Sequence, residues 1–135
     1  MPSLTSYRVT KLTDVCTNVD GELTEFTLSL LVNGSVDKKG NTWGKQMAGN
    51  VCKDVTLPEA QITKVKFTIT GTSSRRNIVG LTLVTNDGAQ TKVGKTSGVG
   101  TETWSKELPL EYTFIGFEAK MFGSGAKFSS WSYVV

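Results

Sequence analysis

Few side chains in this sequence are able to do chemistry, because the chain of 135 residues contains no histidine. A serine or cysteine nucleophile activated by histidine, a histidine-ligated zinc and histidine acid–base catalysis are therefore all excluded. The twelve Asp and Glu residues still allow the paired carboxylates of glycoside hydrolysis. Pairs such as Glu22 and Glu25 or Glu102 and Glu107 are scattered, however, and no apolar pocket pattern surrounds them. The sequence therefore predicts a protein without catalytic activity, and it predicts no cofactor and no metal site.

Cys16 and Cys52 are the remaining candidates for chemistry. Two cysteines are too few for a disulfide framework or for a four-ligand zinc site. They are either small buried thiols in a reducing compartment or one disulfide bridge in an oxidising one. Because nothing else in the sequence indicates secretion, the sequence favours reduced thiols.

Composition and charge limit the class of protein. The chain carries 15 Lys and Arg against 12 Asp and Glu, a net charge of +3, which is well below the basic excess of a nucleic-acid-binding domain. At this length we expect one domain spanning residues 1–135. No apolar run approaches the roughly 18 residues of a membrane span. No basic segment followed by an apolar one opens the chain, so we expect no signal peptide and a protein that is cytoplasmic or secreted after processing.

The hydrophobic pattern predicts β-strands. Val65, Phe67 and Ile69 alternate with polar residues, as expected for a strand with one buried face, and Phe26 and Leu28 do the same. Turn signals separate such runs at Asp20-Gly21, Asn33-Gly34, Lys39-Gly40-Asn41, Asn86-Asp87-Gly88 and Gly123-Ser124-Gly125. The sequence therefore predicts an all-β fold, which is a sandwich, a barrel or a prism.

A weak internal repeat narrows this choice. Residues 8–12 (Arg-Val-Thr-Lys-Leu) are similar to residues 61–65 (Gln-Ile-Thr-Lys-Val), and each segment is followed by a loop and an alternating return strand. The return strands begin at Phe26, Leu81 and Trp131, at intervals of 55 and 50 positions. Three hairpins at a near-constant interval predict pseudo-threefold symmetry, because each has an apolar face that it can bury only against the others.

Residues 62–135 resemble the jacalin-related lectins. The resemblance rests on the strand-loop-strand over residues 62–86, on the glycine-spaced turn over residues 94–100, and on a closing hairpin over residues 114–131 that contains Gly-Ser-Gly-Ala-Lys-Phe-Ser-Ser-Trp. The N-terminal half fits the family more loosely. The resemblance implies a β-prism of three four-stranded antiparallel sheets about a pseudo-threefold axis, and it implies carbohydrate binding without catalysis.

In that family the loop of the closing hairpin holds the sugar through backbone N–H groups and an Asp carboxylate. The resemblance therefore implies that the ligand-binding residues of this chain are Gly125, Ala126, Lys127, Phe128 and Ser129. Ser129 stands at the Asp position, and a hydroxyl cannot accept the pair of charge-assisted hydrogen bonds that a carboxylate accepts. That loss costs about 1.5–3 kcal/mol of binding. A second function therefore stays open, in which the prism is a targeting or structural module, such as the receptor-binding part of a toxin or a membrane-surface domain.

Basic residues near this loop make anionic glycans an alternative ligand. The resemblance places Arg75 and Arg76 in a loop beside the closing hairpin, which itself contains Lys120 and Lys127. Guanidinium groups match anionic oxygens bidentately, so these four residues would form a basic rim for sulfated or carboxylated sugars. Phe122, at the hairpin tip, is a candidate for stacking on a sugar ring or for entering a bilayer interface.

Further expectations concern the tryptophans, the assembly and additional sites. Trp43, Trp104 and Trp131 are predicted to be structural core residues. An open sheet edge favours pairing with another copy of the chain, so we expect a homodimer. Two more loops, Cys16 to Gly21 and Gly71 to Asn77, are candidates for additional binding sites because a threefold fold repeats the hairpin.

Overall fold

Ten β-strands form the described part of the computed structural model, which covers residues 7–32, 36–44, 49–72, 75–108, 114, 116–121 and 128–134. The strands are β1 (Tyr7–Thr17), β2 (Leu23–Val32), β3 (Val36–Gly44), β4 (Val51–Thr56), β5 (Ile62–Thr72), β6 (Arg75–Thr85), β7 (Gln90–Gly94), β8 (Thr101–Glu107), β9 (Gly116–Met121) and β10 (Phe128–Val134). Every strand pairing among them is antiparallel. The all-β prediction is therefore confirmed.

The described strands form one sheet of four strands and one of six, and four strands of the second sheet repeat the order of the first. The first sheet runs β3-β2-β1-β4, and in the second β7 pairs with β6, β6 with β5, and β5 with β8. In both, a central hairpin is flanked by the strand that follows it and by a fourth strand that returns to the first. The third hairpin, β9–β10, contacts the second sheet where Phe128 pairs with Ile78. The three hairpins thus occur where the internal repeat predicts them.

One hydrophobic cluster joins the first two sheets. Phe26 and Leu12 from the first sheet and Val65 and Leu81 from the second are at most 1% exposed and belong to this cluster. Phe114, which precedes the third hairpin, is buried in it as well. The alternation read from the sequence therefore marks the faces that meet in the core.

The aromatic residues follow the core prediction only in part. Trp43 packs against the core and stacks on its cross-strand neighbour Phe26 at a centroid distance of 5.2 Å. Trp104 is 49% exposed, so its assignment to the core is wrong. It lies on β8, whose only strand neighbour among the described residues is β5, and an edge strand leaves its side chains less covered. The side chain of Trp131 lies outside the described residues.

The turn signals were correct where local hydrogen bonds support them. The carboxylate of Asp87 accepts hydrogen bonds from the Thr85 hydroxyl and the Ala89 N–H, which lower its pKa and fix the β6–β7 turn. The turn expected at Lys39-Gly40-Asn41 is wrong, because these residues lie within β3. There the pairing passes from Thr42 to Lys39 while β2 advances by only two residues, so β3 contains a bulge and not a turn.

The cysteine prediction is corrected as well. Cys16 on β1 and Cys52 on β4 are register partners, and they form a disulfide. The bridge depends on which strand neighbours β1, and the spacing of two cysteines in a sequence does not contain that information. The prediction of reduced thiols rested only on the lack of a secretion signal, and it was wrong.

Candidate functional site

The closing hairpin lies against β6, the strand that begins with the paired arginines. Phe128, the first residue of β10, pairs with Met121 on β9 and also with Ile78 on β6. Arg76 is two residues from Ile78, and Ser129 is one residue from Phe128. Successive residues of a strand are about 3.3 Å apart, so the backbones of Arg76 and Ser129 lie in the same region of the molecule.

The structure describes only part of the predicted ligand-binding set. Arg75 and Arg76 lie at the start of β6, with backbone positions opposite Thr72 and Gly71 on β5. Lys120 on β9 pairs with Ser130, and Ser129 lies at the register shift between Phe128 and Ser130 on β10. Phe122, Gly125, Ala126 and Lys127 lie outside the described residues, so these assignments stay predictions.

The tip of the first hairpin, residues 18–22, is held by hydrogen bonds among its own residues. The Asn18 side-chain oxygen accepts the N–H groups of Asp20 and Glu22, each at 3.0 Å. The Asn18 side-chain amide donates to the Glu22 carboxylate at 3.0 Å. Gly21 completes the turn with a φ of 80°, a conformation that glycine adopts without strain. The loop backbone is therefore fixed from within.

This tip presents an apolar and an acidic side chain side by side. Val19 is 88% exposed, and the neighbouring Asp20 is also exposed. The carboxylate of Asp20 accepts none of the hydrogen bonds that fix the loop. A carboxylate accepts hydrogen bonds from hydroxyls, and an exposed valine offers apolar contact. The sequence indicated this loop only as a further candidate.

A groove lies beside this tip, between the first sheet and β7. Its volume is about 330 Å³, and we call it the lysine groove. Its lining residues come from β1, the 18–22 tip, β4 and β7, and they are Val15, Thr17, Gly21, Val51, Lys53, Lys92, Val93 and Gly94. Lys53 and Lys92 are not predictable from the sequence as a pair, because nothing local to either residue shows that a strand of one sheet faces a strand of another.

A second groove of about 290 Å³ lies between β1 and the segment after β4, and we call it the Arg8 groove. It carries Arg8, Lys11 and Glu59 among its lining residues. The Arg8 guanidinium and the Glu59 carboxylate form an ion pair at 3.7 Å. This groove therefore holds both signs of charge.

One carboxylate near the disulfide has an altered titration. Glu25 on β2 lies opposite Cys16 in the β1–β2 register. Partial burial, and secondarily the negative charge of Asp14, raise the pKa of the Glu25 carboxyl.

In the part of the chain that the structure describes, no group of three or more Asp, Glu or Cys residues is arranged to hold a metal ion. The same part of the chain contains no apolar helix of membrane-spanning length.

Comparison with known proteins gives matches only at the level of structure. No protein-family model matches the chain, and no curated protein sequence matches it. The structure is similar to jacalin in complex with melibiose, with 21% identity, a TM-score of 0.68 and coverage of 94% of this chain and 90% of jacalin. It is similar to frutalin from Artocarpus incisa in complex with galactose, with 18% identity, a TM-score of 0.68 and the same coverage of both chains.

A bacterial prism is similar too. The second β-prism domain of RbmC from V. cholerae, bound to N-acetylglucosaminyl-β-1,2-mannose, matches with 14% identity and a TM-score of 0.59, covering 98% of this chain and 93% of that one. The similarity establishes the fold alone, because all three sequence identities are below 25%. The β-prism expected from the repeat and from the family resemblance is confirmed, and the chain has the fold of the jacalin-type lectins.

Proposed function

We propose that the protein is a lectin that binds carbohydrate at the closing hairpin of the prism and does not alter it chemically. The observation that carries the proposal is the near-full-length match to prisms whose structures contain bound sugars, from both a plant and a bacterium. The pairing of Phe128 with Ile78 supports the location, because it brings the start of β10 against the strand that carries the arginines.

The ligand class follows from the residues of the closing loop. With Ser129 at the position of the family's Asp, a neutral hexose loses about 1.5–3 kcal/mol of binding free energy, a factor of ten to more than a hundred. Arg75, Arg76, Lys120 and Lys127 would compensate for this loss when the sugar carries sulfate or carboxylate. We therefore assign neutral glycans as weak ligands and anionic glycans as stronger ones.

A glycan array read at low and moderate salt tests both parts of this proposal. The array should include galactose- and mannose-terminated glycans together with sulfated and sialylated ones. Lys127→Ala and Ser129→Ala should weaken binding, whereas Lys66→Ala, on β5 and away from the hairpin, is the matched control. Anionic binding should weaken as salt rises, because exposed charges are screened over about 8–10 Å at these ionic strengths.

Either of two results would overturn the proposal. A blank array at both salt concentrations removes the lectin function and favours a targeting or structural module. Equal loss of binding in Ser129→Ala and in the Lys66→Ala control removes the closing hairpin as the site.

We also assign the expected homodimer to the edge of β8. Residues 102–107 of this strand are all exposed, and no described strand pairs with its outer edge. Antiparallel pairing of two β8 strands about Trp104 places Glu102 of each copy opposite Lys106 of the other. The twofold symmetry therefore forms two cross-strand pairs of opposite charge and brings the two exposed indoles together at the centre.

Charge exchange tests this interface. Lys106→Glu should weaken the dimer in analytical ultracentrifugation, because it places like charges opposite each other. Adding Glu102→Lys to the same chain restores opposite charges and should recover the dimer. A monomeric protein at high concentration, or a dimer that Lys106→Glu leaves unchanged, contradicts the β8 interface.

A further inference from the structure

The lysine groove brings together two cations that are distant in the sequence. Lys53 lies on β4 of the first sheet and Lys92 on β7 of the second, and both line the same space of about 330 Å³. Both side chains are exposed to solvent. Neither takes part in an ion pair with another described residue.

The strand alternation keeps acidic groups out of this groove. Lys53 is opposite Val15 in the β1–β4 register, and Val15 also lines the groove. The next residue, Asp54, points to the other face of the strand. There its carboxylate accepts the N–H of Asp14 at 3.1 Å. Among the residues that the structure describes, no carboxylate lines the groove, and none of them compensates the positive charges of the two lysines there.

The Arg8 groove shows that a groove of similar size need not have uncompensated positive charge. Its volume, about 290 Å³, is close to that of the lysine groove. Its arginine, however, is already paired with Glu59 at 3.7 Å. An anion entering the Arg8 groove would have to displace or approach that carboxylate, whereas the described lining of the lysine groove offers two ammonium groups without a carboxylate beside them.

The wall that carries Lys92 is held in place by close backbone contacts. Gly94 has a φ of 74°, and a Cβ on it would lie 2.5 Å from the Val79 carbonyl oxygen and 2.7 Å from Cβ of Leu23. The N–H of Lys95 donates to the same Val79 carbonyl at 3.0 Å. β7 therefore packs directly on both sheets at its end, and the backbone beside Lys92 is fixed before any ligand arrives.

We infer that the lysine groove is a second binding site, which takes a sulfate or carboxylate group between the ammonium groups of Lys53 and Lys92. Ammonium groups form short, charge-assisted hydrogen bonds with such oxygens. The apolar residues Val51 and Val93 line the same groove and offer contact to the carbon skeleton that carries the anionic group. The site is assigned to the side chains of Lys53 and Lys92 and not to Ser129 or the arginines, although β7 ends close to the start of β10 along β6, where Gly94 pairs with Gly80 and Phe128 with Ile78.

NMR titration of the full chain tests this inference. The probes are inorganic sulfate and a sulfated chondroitin disaccharide, which distinguish a free anion from one carried on a saccharide. The backbone amides of Gly21 and Gly94 should shift on titration with either probe, and the disaccharide should bind more tightly because of the apolar wall. Lys53→Gln and Lys92→Gln should each weaken binding about fivefold or more, whereas Lys53→Arg should retain it.

Lys11→Gln is the matched control, because it removes the same charge from an exposed lysine in the Arg8 groove. It should leave the affinity unchanged. The inference is overturned if the Gly21 and Gly94 amides do not shift, or if Lys11→Gln weakens binding as much as Lys53→Gln. The failure of this inference is distinguishable from the failure of the lectin proposal, because Lys53→Gln and Lys92→Gln change only side chains of the lysine groove, whereas Ser129→Ala and Lys127→Ala change only the closing hairpin.

Discussion

Removal of the disulfide is the perturbation whose size follows most directly from the structure. The bridge joins Cys16 to Cys52 across 36 positions of the chain. Closing a loop of that length lowers the entropy of the unfolded state by an amount equivalent to about 3.8 kcal/mol at 25 °C. Dividing this free energy by the unfolding entropy of a domain of 135 residues predicts a fall in Tm of about 13 °C. Domains of this size have a total stability of only about 5–15 kcal/mol.

The assay is thermal and urea unfolding of the oxidised protein, of the protein reduced with dithiothreitol, and of the Cys16→Ala/Cys52→Ala double variant. The two forms without the bridge should lose similar stability, because the effect acts on the unfolded chain and not on the sulfur contacts. The Cys52→Ala single variant also lacks the bridge but keeps Cys16, so it should lose as much stability as the double variant. A reduced protein within about 1 kcal/mol of the oxidised one refutes the reasoning, as does mass spectrometry that finds two free thiols after oxidative purification.

Three further predictions concern the fold. Gly80→Ala should cost more than about 2 kcal/mol, because its Cβ would lie 2.0 Å from the Lys95 carbonyl oxygen; urea unfolding measures this. Phe26→Ala should cost about 3–5 kcal/mol by the same assay, because Phe26 is fully buried. The raised pKa of Glu25, caused by burial and by Asp14, means that its ionised form is disfavoured in the folded state. Glu25→Gln should therefore stabilise the protein at pH 7, with a gain that disappears as the pH falls below the ordinary value of 4.5.

Matched substitutions control these three measurements. Gly88→Ala has open space around its Cβ, so its cost reflects backbone conformation alone and should be smaller than that of Gly80→Ala. Phe26→Leu should recover much of the stability that Phe26→Ala loses. If the gain from Glu25→Gln is the same at pH 4 and pH 7, the titration argument is wrong. Equal costs for the two glycine variants would contradict the close approach at Lys95.

The sequence contains the strand pattern because alternation is a local property. The buried face of β5 at Val65, Phe67 and Ile69 follows from period-two spacing alone. The turn prediction at Gly40 was wrong, because Gly and Asn occur in β-bulges as well as in turns. What separates the two is whether the neighbouring strand continues beside the chain, and that is a long-range property.

The functional features also differ in whether they depend on local sequence or on which strands are neighbours. The family resemblance predicts that Ser129 replaces the Asp of the sugar site, because that position follows from the order of residues in the closing hairpin. The facing of Lys53 and Lys92 and the pairing of Cys16 with Cys52 depend on which strands are neighbours in space. The topology sets both, and no spacing within a single segment reveals them.

The central claim is that sugar is held at the closing hairpin of the prism, and amide NMR of the full chain with the best-binding glycan from the array tests it most directly. We predict that the amides of residues 122–129 and of Arg76 shift together, saturate at one affinity and require a higher glycan concentration in Ser129→Ala. The claim would be contradicted by glycan binding that leaves these amides unshifted, or by a chain that binds no glycan at millimolar concentration.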